Sequence, residues 1–186
     1  MPNYFALDQT FEGATTLRAG EYEHCQFSNC SFFEADFSKF QFTDCTFSNS
    51  DLSTAKLDSA SFRDCHFQNC KLLGLHFEDC KSFLFSVSFQ ACQLSMATFN
   101  GMKLKETQFI DCNLEESDFS GADLMGANFG NCNLHRAIFD NCNLQKADFR
   151  SAYNYSIHPD RNQIKKAKFS QSGLMGLLEH YQIEVE

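Results

Sequence analysis

Large apolar residues recur at every fifth position through most of this chain, and that period restricts what it can fold into. From Leu17 the series runs through Tyr22, Phe27, Phe32, Phe37, Phe42, Phe47, Leu52, Leu57, Phe62, Phe67, Leu72 and Phe77. It then slips by two residues. The series resumes at Phe89 and continues through Leu94, Phe99, Leu104, Phe109, Leu114, Phe119, Leu124, Phe129, Leu134, Phe139, Leu144 and Phe149. With one site between the two runs, expected at Leu84, there are 27 repeats, and 15 of the 22 Phe fall on this position. Five matches neither the 3.6 of a helix nor the 2.0 of a long strand. It suits a chain that turns a corner every five residues.

A second series lies two residues before the first. All ten cysteines occupy it, at 25, 30, 45, 65, 70, 80, 92, 112, 132 and 142, together with Ala35, Ala55, Ala60, Ala97, Ala122, Ala127, Ala137 and Ala147. Residues two apart share a side of an extended chain. Each repeat therefore sends one small and one large side chain inward and keeps three mostly polar ones outside.

Four sides of five residues close a square coil of 20, and stacked coils bond backbone to backbone roughly 4.8 Å apart. After Phe89 the central residue alternates Phe and Leu, which a 20-residue coil sorts into homogeneous columns. Phe89, Phe109, Phe129 and Phe149 share one side; Leu94, Leu114 and Leu134 share the next. Such columns meet the demand for an interior without voids. The expectation is an all-β, right-handed quadrilateral parallel β-helix of about seven coils, a rod of roughly 32 Å.

Repeats such as Ala122-Asp123-Leu124-Met125-Gly126 and Ala147-Asp148-Phe149-Arg150-Ser151 resemble the A-(D/N)-(L/F)-x-x signature of the pentapeptide-repeat family over about residues 17–153. The resemblance implies the same right-handed quadrilateral β-helix. Residues 1–16, with Phe5, Leu7 and Phe11 out of register, read as an N-terminal cap over the open end of the stack.

The pattern is expected to fail after Ala152, where residues 154–186 form a tail. In it Ser172 is placed to cap a short α-helix with Leu174, Leu177, Leu178 and Tyr181 on one face. Residues 182–186 alternate as a strand would. A helix of barely three turns is unstable alone. Its apolar stripe must either cap its own coil or meet the same element of a second chain in a two-fold dimer.

The tail is similar to that of a subgroup containing immunity proteins against gyrase poisons such as albicidin, through Asn154, Tyr155, Ile157, Asn162, Ile164, Lys165, Ala167, Phe169 and Ser170. His158 stands where that subgroup suggests an acid. The resemblance implies a homodimer through Leu174, Leu177, Leu178 and Tyr181, with DNA gyrase or topoisomerase IV as partner. Quinolone-resistance members carry long projecting loops, whereas here only the slip between Phe77 and Phe89 is available to project.

Composition narrows the chemistry. The 186 residues suit one domain or two small ones, and 15 Lys+Arg against 24 Asp+Glu leave a net charge of −9. That balance argues against direct nucleic-acid binding, which needs clustered positive charge. No apolar run reaches the ~20 residues of a membrane span, and no signal peptide is apparent, so a cytoplasmic protein is expected. The cysteines lack zinc spacing and read as small buried filler rather than disulfides, ligands or nucleophiles. The six histidines form no H-x-x-H pattern, and no phosphate loop or nucleophile elbow appears. No enzyme activity, metal or cofactor is expected.

The carboxylates carry the functional reading. Residues 1–150 hold 20 acids and 11 bases, while residues 151–186 hold four of each, so the excess lies on the rod. At a 20-residue period Asp44 falls over Asp64 and Asp58 over Glu78, like charges that oppose stability unless something uses them. Glu116 over Arg136 reads as a stabilising pair. A partner-binding acidic surface of Asp44, Asp58, Asp64, Glu78 and Asp118 is the first expectation, a DNA mimic that occupies a topoisomerase and protects it. The alternative is an interaction scaffold for an unrelated partner, with Phe83 and Phe85 at the slip as an apolar contact.

Overall fold

The computed structural model describes residues 4–183. Eleven short strands are all paired in parallel: β1 (Tyr4–Leu7), β2 (Thr10–Glu12), β3 (Gly20–Glu23), β4 (Gln26–Ser28), β5 (Gln41–Thr43), β6 (Thr46–Ser48), β7 (Ser61–Arg63), β8 (Cys65–Gln68), β9 (Val87–Gln90), β10 (Gln108–Ile110) and β11 (Asn128–Gly130). One sheet runs β1-β3-β5-β7 and the other β11-β10-β9-β8-β6-β4-β2. Single bridges such as Asn113↔Asn133 and Asp118↔Ile138 continue the ladder on the remaining two sides. The result is a right-handed quadrilateral β-helix.

We number the sides by their central columns. Side one stacks Phe27, Phe47, Phe67, Phe89, Phe109, Phe129 and Phe149, six turns from first to last. Side two carries Phe32 and then Leu52, Leu72, Leu94, Leu114 and Leu134. Side three carries Phe37, Leu57, Phe77, Phe99, Phe119 and Phe139, and side four begins Tyr22, Phe42, Phe62 and resumes with Leu104, Leu124 and Leu144. Incomplete turns extend both ends beyond these six. The columns are buried, Phe27, Phe47, Phe109 and Phe129 fully so. Each buried Phe contributes about 1.5–3 kcal/mol by area.

Two local devices turn the corners. The residue two after most centres adopts the left-handed region: Asn29 (φ 53°), Asp44 (51°), Asn49 (49°), Asp64 (50°), Asn69 (53°) and Asn131 (55°) are examples. Asn and Asp tolerate it best among residues with a Cβ. Glu34, Thr54, Met96 and Arg136 adopt it as well, so the stack overrides local preference there. The second device uses the polar residue before each centre. Its side-chain oxygen accepts the N–H two residues on, as in Asp36 to Ser38 (2.8 Å), Asp51 to Ser53 (3.0 Å), Asp118 to Ser120 (2.8 Å) and Asp148 to Arg150 (3.1 Å). This is an Asx turn, and it explains why Asp and Asn recur at that position.

Cysteine does more than fill space. Its thiol donates to the carbonyl of the central residue one coil back, as in Cys70 to Phe47 O (3.4 Å), Cys92 to Phe67 O (3.4 Å), Cys132 to Phe109 O (3.2 Å) and Cys142 to Phe119 O (3.1 Å). Ser117 plays the same part toward Leu94 O at 3.0 Å. All ten cysteines are buried and unpaired.

Several expectations need correction. At the slip, Leu84 does not enter the core. It is 60% exposed with φ 57°, while half-buried Phe85 packs on Phe77 with centroids 6.3 Å apart. The two extra residues are spent in an outward loop between Lys81 N–H, bonded to Ala60 O, and Ser86 N–H, bonded to Phe62 O. Pairing then returns to register with Cys65↔Val87.

At the N-terminal end, β1 and β2 pair in parallel with β3 and β4. Phe11 pairs with Phe27 and Ala6 with Tyr22, a turn of 16 residues, and Phe5 and Leu7 face outward. Past residue 153 the ladder also continues. Gln163 bridges Asn143, Lys168 bridges Asp148, and Phe169 stacks on Phe149 at 5.3 Å.

The tail helix is shorter than three turns. It is α1 (Met175–Leu178) followed by a single 3-10 turn over Glu179–Tyr181. Ser172 does not cap it; the Ser170 hydroxyl accepts from Gly173 N–H instead (3.1 Å). Leu174, Leu177, Leu178 and Tyr181 form no single buried stripe. Leu177 packs on the core, Leu174 and Tyr181 are 45% exposed, and the Tyr181 hydroxyl bonds Asp160 (2.7 Å). Gly173 and Gly176 lie so close to Tyr155 that a Cβ at either would overlap it, and Ile157 N–H bonds Gly176 O at 2.9 Å. Of the expected terminal strand, residues 184–186 lie outside the described residues; Gln182 has left-handed backbone.

Candidate protein-interaction surface

Sorting the outward side chains by side separates their charges. On side one, residues 26–29, 46–49, 66–69, 88–91, 108–111 and 128–131 include a single carboxylate, Asp111, and no Lys or Arg, and residues 148–151 add only the ion pair of Asp148 and Arg150. Side three carries Asp36, Asp58, Glu78, Asp79, Asp118 and Asp140 against Lys39 and Lys56. Side four is mixed, with Glu21, Glu23, Asp44, Asp64, Glu106 and Asp123 opposed by Arg63, Lys103, Lys105 and Lys146. The acidity is thus greatest on side three, opposite side one, which carries little charge.

The five expected site residues fall on two edges. Asp44 and Asp64 are corner residues at the end of side four, one coil apart, since Thr43 pairs with Arg63. Asp44 faces His24 at 3.9 Å, and Asp64 accepts from the Ser86 hydroxyl at 2.8 Å. Asp58, Glu78 and Asp118 lie on side three.

Their roles differ. Glu78 is held by the Thr98 hydroxyl (2.6 Å) and by His76 Nδ1 (3.1 Å). Asp118 accepts both the N–H (2.8 Å) and the hydroxyl (2.6 Å) of Ser120, which makes it a turn former as much as a surface charge. Asp58 has no side-chain hydrogen bond or ion pair among the described residues, and neither does Asp79, which has no acid 20 residues away. Asp79 sits where a short 3-10 turn, Phe77–Asp79, replaces the usual corner, and its carbonyl accepts from Ser59 N–H at 2.9 Å. Elsewhere Glu116 and Arg136 form the expected pair at 3.2 Å.

Protonation is shifted where local bonds require it. The Ser38 hydroxyl and N–H hold Asp36 below the usual carboxylate range. The Arg150 guanidinium, at 2.7–3.1 Å, does the same for Asp148. Burial pushes the Cys45 thiol up to about 12. Cys92 and Cys112 also rise to about 12, first through the thiol of the next coil (Cys112 and Cys132 respectively) and then through burial. These thiols are protonated at neutral pH and are poor nucleophiles. Among the described residues no group of three or more His, Cys, Asp or Glu is placed to hold a metal ion, and no helix is long and apolar enough to cross a membrane.

The exposed apolar residues were less legible. Phe83 and Leu84 are 71% and 60% exposed, ahead of Phe33 and Met96 at 56%. Of the pair expected at the slip, Phe83 projects and Phe85 turns inward. At the other end an open cleft of about 930 Å³ separates the tail from the last coils, lined by His135, Arg136, Tyr155, Glu179 and His180 among others. His180 stacks on His158 at 4.8 Å.

Among curated proteins none matches this sequence. Solved structures that resemble it include full-length QnrB1, a plasmid-mediated fluoroquinolone resistance protein (22% identity, 97% of this chain and 99% of that one, TM-score 0.48). HetL, a pentapeptide repeat protein involved in heterocyst differentiation regulation in the cyanobacterium Nostoc, is 18% identical over 89% of this chain and 85% of its own, with a TM-score of 0.30. The family model for the pentapeptide repeat region matches residues 21–99 and 82–176. With that match spanning most of the sequence, and with the five-residue period realised as a four-sided coil, the chain belongs to the pentapeptide repeat family.

Proposed function

We propose that the protein is a non-catalytic, dimeric binding protein whose acidic surface occupies the DNA-binding groove of a type II topoisomerase, DNA gyrase or topoisomerase IV, and shields it from poisons. The observation that carries this reading is the excess of negative charge on side three, six carboxylates against two lysines, opposite a side that carries little charge. A rod charged on one side meets a cationic groove in one orientation, and its field steers the encounter. Six carboxylates over the six coils of side three amount to one per roughly 4–5 Å. That is sparser than the one per ~1.7 Å of duplex DNA. Binding is therefore less dependent on salt than DNA binding at the same groove. The homodimer forms through the exposed apolar residues of the tail, Leu174 foremost, and doubles the length of the rod.

The test is gyrase supercoiling at rising protein concentration, with and without a poison, at two salt concentrations. Protection from the poison, or inhibition that added DNA relieves, supports the proposal. Absence of both effects up to tens of micromolar rejects it. The second reading, a scaffold for another protein, is favoured by the exposed pair Phe83 and Leu84.

A further inference from the structure

We infer that the outward loop at residues 81–86 is the apolar anchor of the partner-binding surface, and that Phe83 and Leu84 enter an apolar pocket within a cationic protein surface. Three observations converge on this loop. Its two tip residues are the most exposed of the large apolar side chains described, and they are adjacent. Solvent-exposed apolar groups of this size, side by side at a projecting point, are what interfaces bury at their centres.

The loop is also held in shape. Lys81 N–H bonds Ala60 O at 2.8 Å, the Ser86 hydroxyl bonds Asp64 at 2.8 Å, Phe85 is packed on Phe77, and the Arg63 guanidinium lies 5.9 Å from the centre of the Phe83 ring. A preformed projection loses little freedom when a partner covers it.

The third observation is the loop's position, which identifies the chemistry of the occupant. The chain enters the loop from Asp79, at the acidic edge of side three with Glu78 and Asp58. It leaves beside Asp64, one coil from Asp44. The apolar tip is therefore flanked on both sides by carboxylates, with Lys81 in the loop, Arg63 in the coil before it, and Lys103 and Lys105 in the coil after it as the cations of this side. A partner that buries Phe83 and Leu84 must face those carboxylates, so it presents Lys or Arg around an apolar pocket. An interface centre that excludes water around apolar groups, with charges at its rim, has this arrangement.

This inference rests on the acidic surface of the proposed function and adds the group that fixes its register along the rod. The test uses the full-length protein with DNA gyrase holoenzyme as the probe, in three variants: Phe83→Ser with Leu84→Ser, Phe33→Ser as a matched exposed control on side two, and Asp58→Asn with Asp79→Asn. The anchor predicts at least a tenfold loss of affinity for the loop variant, equal at low and high salt, and no change for Phe33→Ser. The carboxylate variant loses affinity mainly at low salt. A loop variant that binds as tightly as the wild type overturns the anchor while leaving the topoisomerase reading intact.

If the wild type does not bind gyrase, the topoisomerase reading fails, and a second arm decides the anchor. A photoreactive phenylalanine at position 83 or at position 33 is irradiated in the native host. A crosslink from 83 and not from 33, to one protein whose capture is reduced by Asp58→Asn with Asp79→Asn, supports the anchor. No excess crosslinking from 83 overturns it.

Discussion

Phe129 lies directly over Phe109, their ring centroids 5.1 Å apart and their planes within 1° of parallel. The same relation joins Phe99 to Phe119 at 4.9 Å and 3° on side three, while neighbours across the coil, such as Phe109 and Phe119, meet edge to face at 87°. Each ring thus stacks along its column and presents an edge to the next, both favourable arrangements for aromatic quadrupoles. The interior is specific in two directions at once, and this makes the unit of 20 residues testable.

Deleting residues 113–132 removes one whole coil and joins Cys112 to Asn133, so every column meets its own kind. Deleting residues 118–132 removes three sides and sets Leu134 on the Phe column of side three. Four columns then meet wrong partners at ~1–3 kcal/mol each. At ~2–4 °C per kcal/mol in a chain of this size, the 15-residue deletion should melt at least about 10 °C below the 20-residue one. Thermal unfolding followed by circular dichroism measures both; equal melting temperatures would rule out column matching.

The buried thiols predict a reactivity profile. Because Cys45, Cys92 and Cys112 are protonated at neutral pH and all ten cysteines are buried, the folded protein should not react with a water-soluble thiol reagent over minutes at pH 7. In guanidinium all ten should react. Partial labelling of the native state, located by mass spectrometry, would identify a coil that opens locally.

Asp148 gives a pH dependence with a definite sign. Its carboxylate is held below its ordinary value first by the Arg150 side chain, with further help from the Arg150 N–H and Lys168. A carboxyl whose folded pKa is depressed adds stability above its unfolded value, and that stability is lost as pH falls through the folded one. Asp148→Asn should therefore lower the melting temperature at pH 7, and the gap to the wild type should begin to close as pH falls below about 4. A difference that persists unchanged at pH 3 would assign the effect to packing.

The proposed dimer can be tested without disturbing the core. Leu174 is 45% exposed and precedes α1, so Leu174→Asp places a charge where only a second chain would bury it. An uncompensated charge in an apolar contact costs several kcal/mol. Sedimentation should show monomers while circular dichroism stays β-like. If the dimer persists, it is held elsewhere on the rod.

The coil is legible in the period alone: its 20-residue unit, the alternating Phe and Leu columns and the inward cysteines all follow from a strict five-residue repeat that leaves one way to bury the large residues. Ile164 and Phe169 are each 20 residues after Leu144 and Phe149, so the continuation of the ladder beyond residue 153 was readable. Other features were decided only in three dimensions. That Phe85 and not Leu84 turns inward depends on where pairing with the previous coil is regained, a constraint set by residues 60–65 rather than by the loop. That Glu78 is bound by Thr98, 20 residues on, while Asp58 and Asp79 carry no such bond, depends on neighbours that local charge patterns do not reveal. Period is a local property of the chain. Which of its surface groups stay available to a partner is settled by contacts a full coil away.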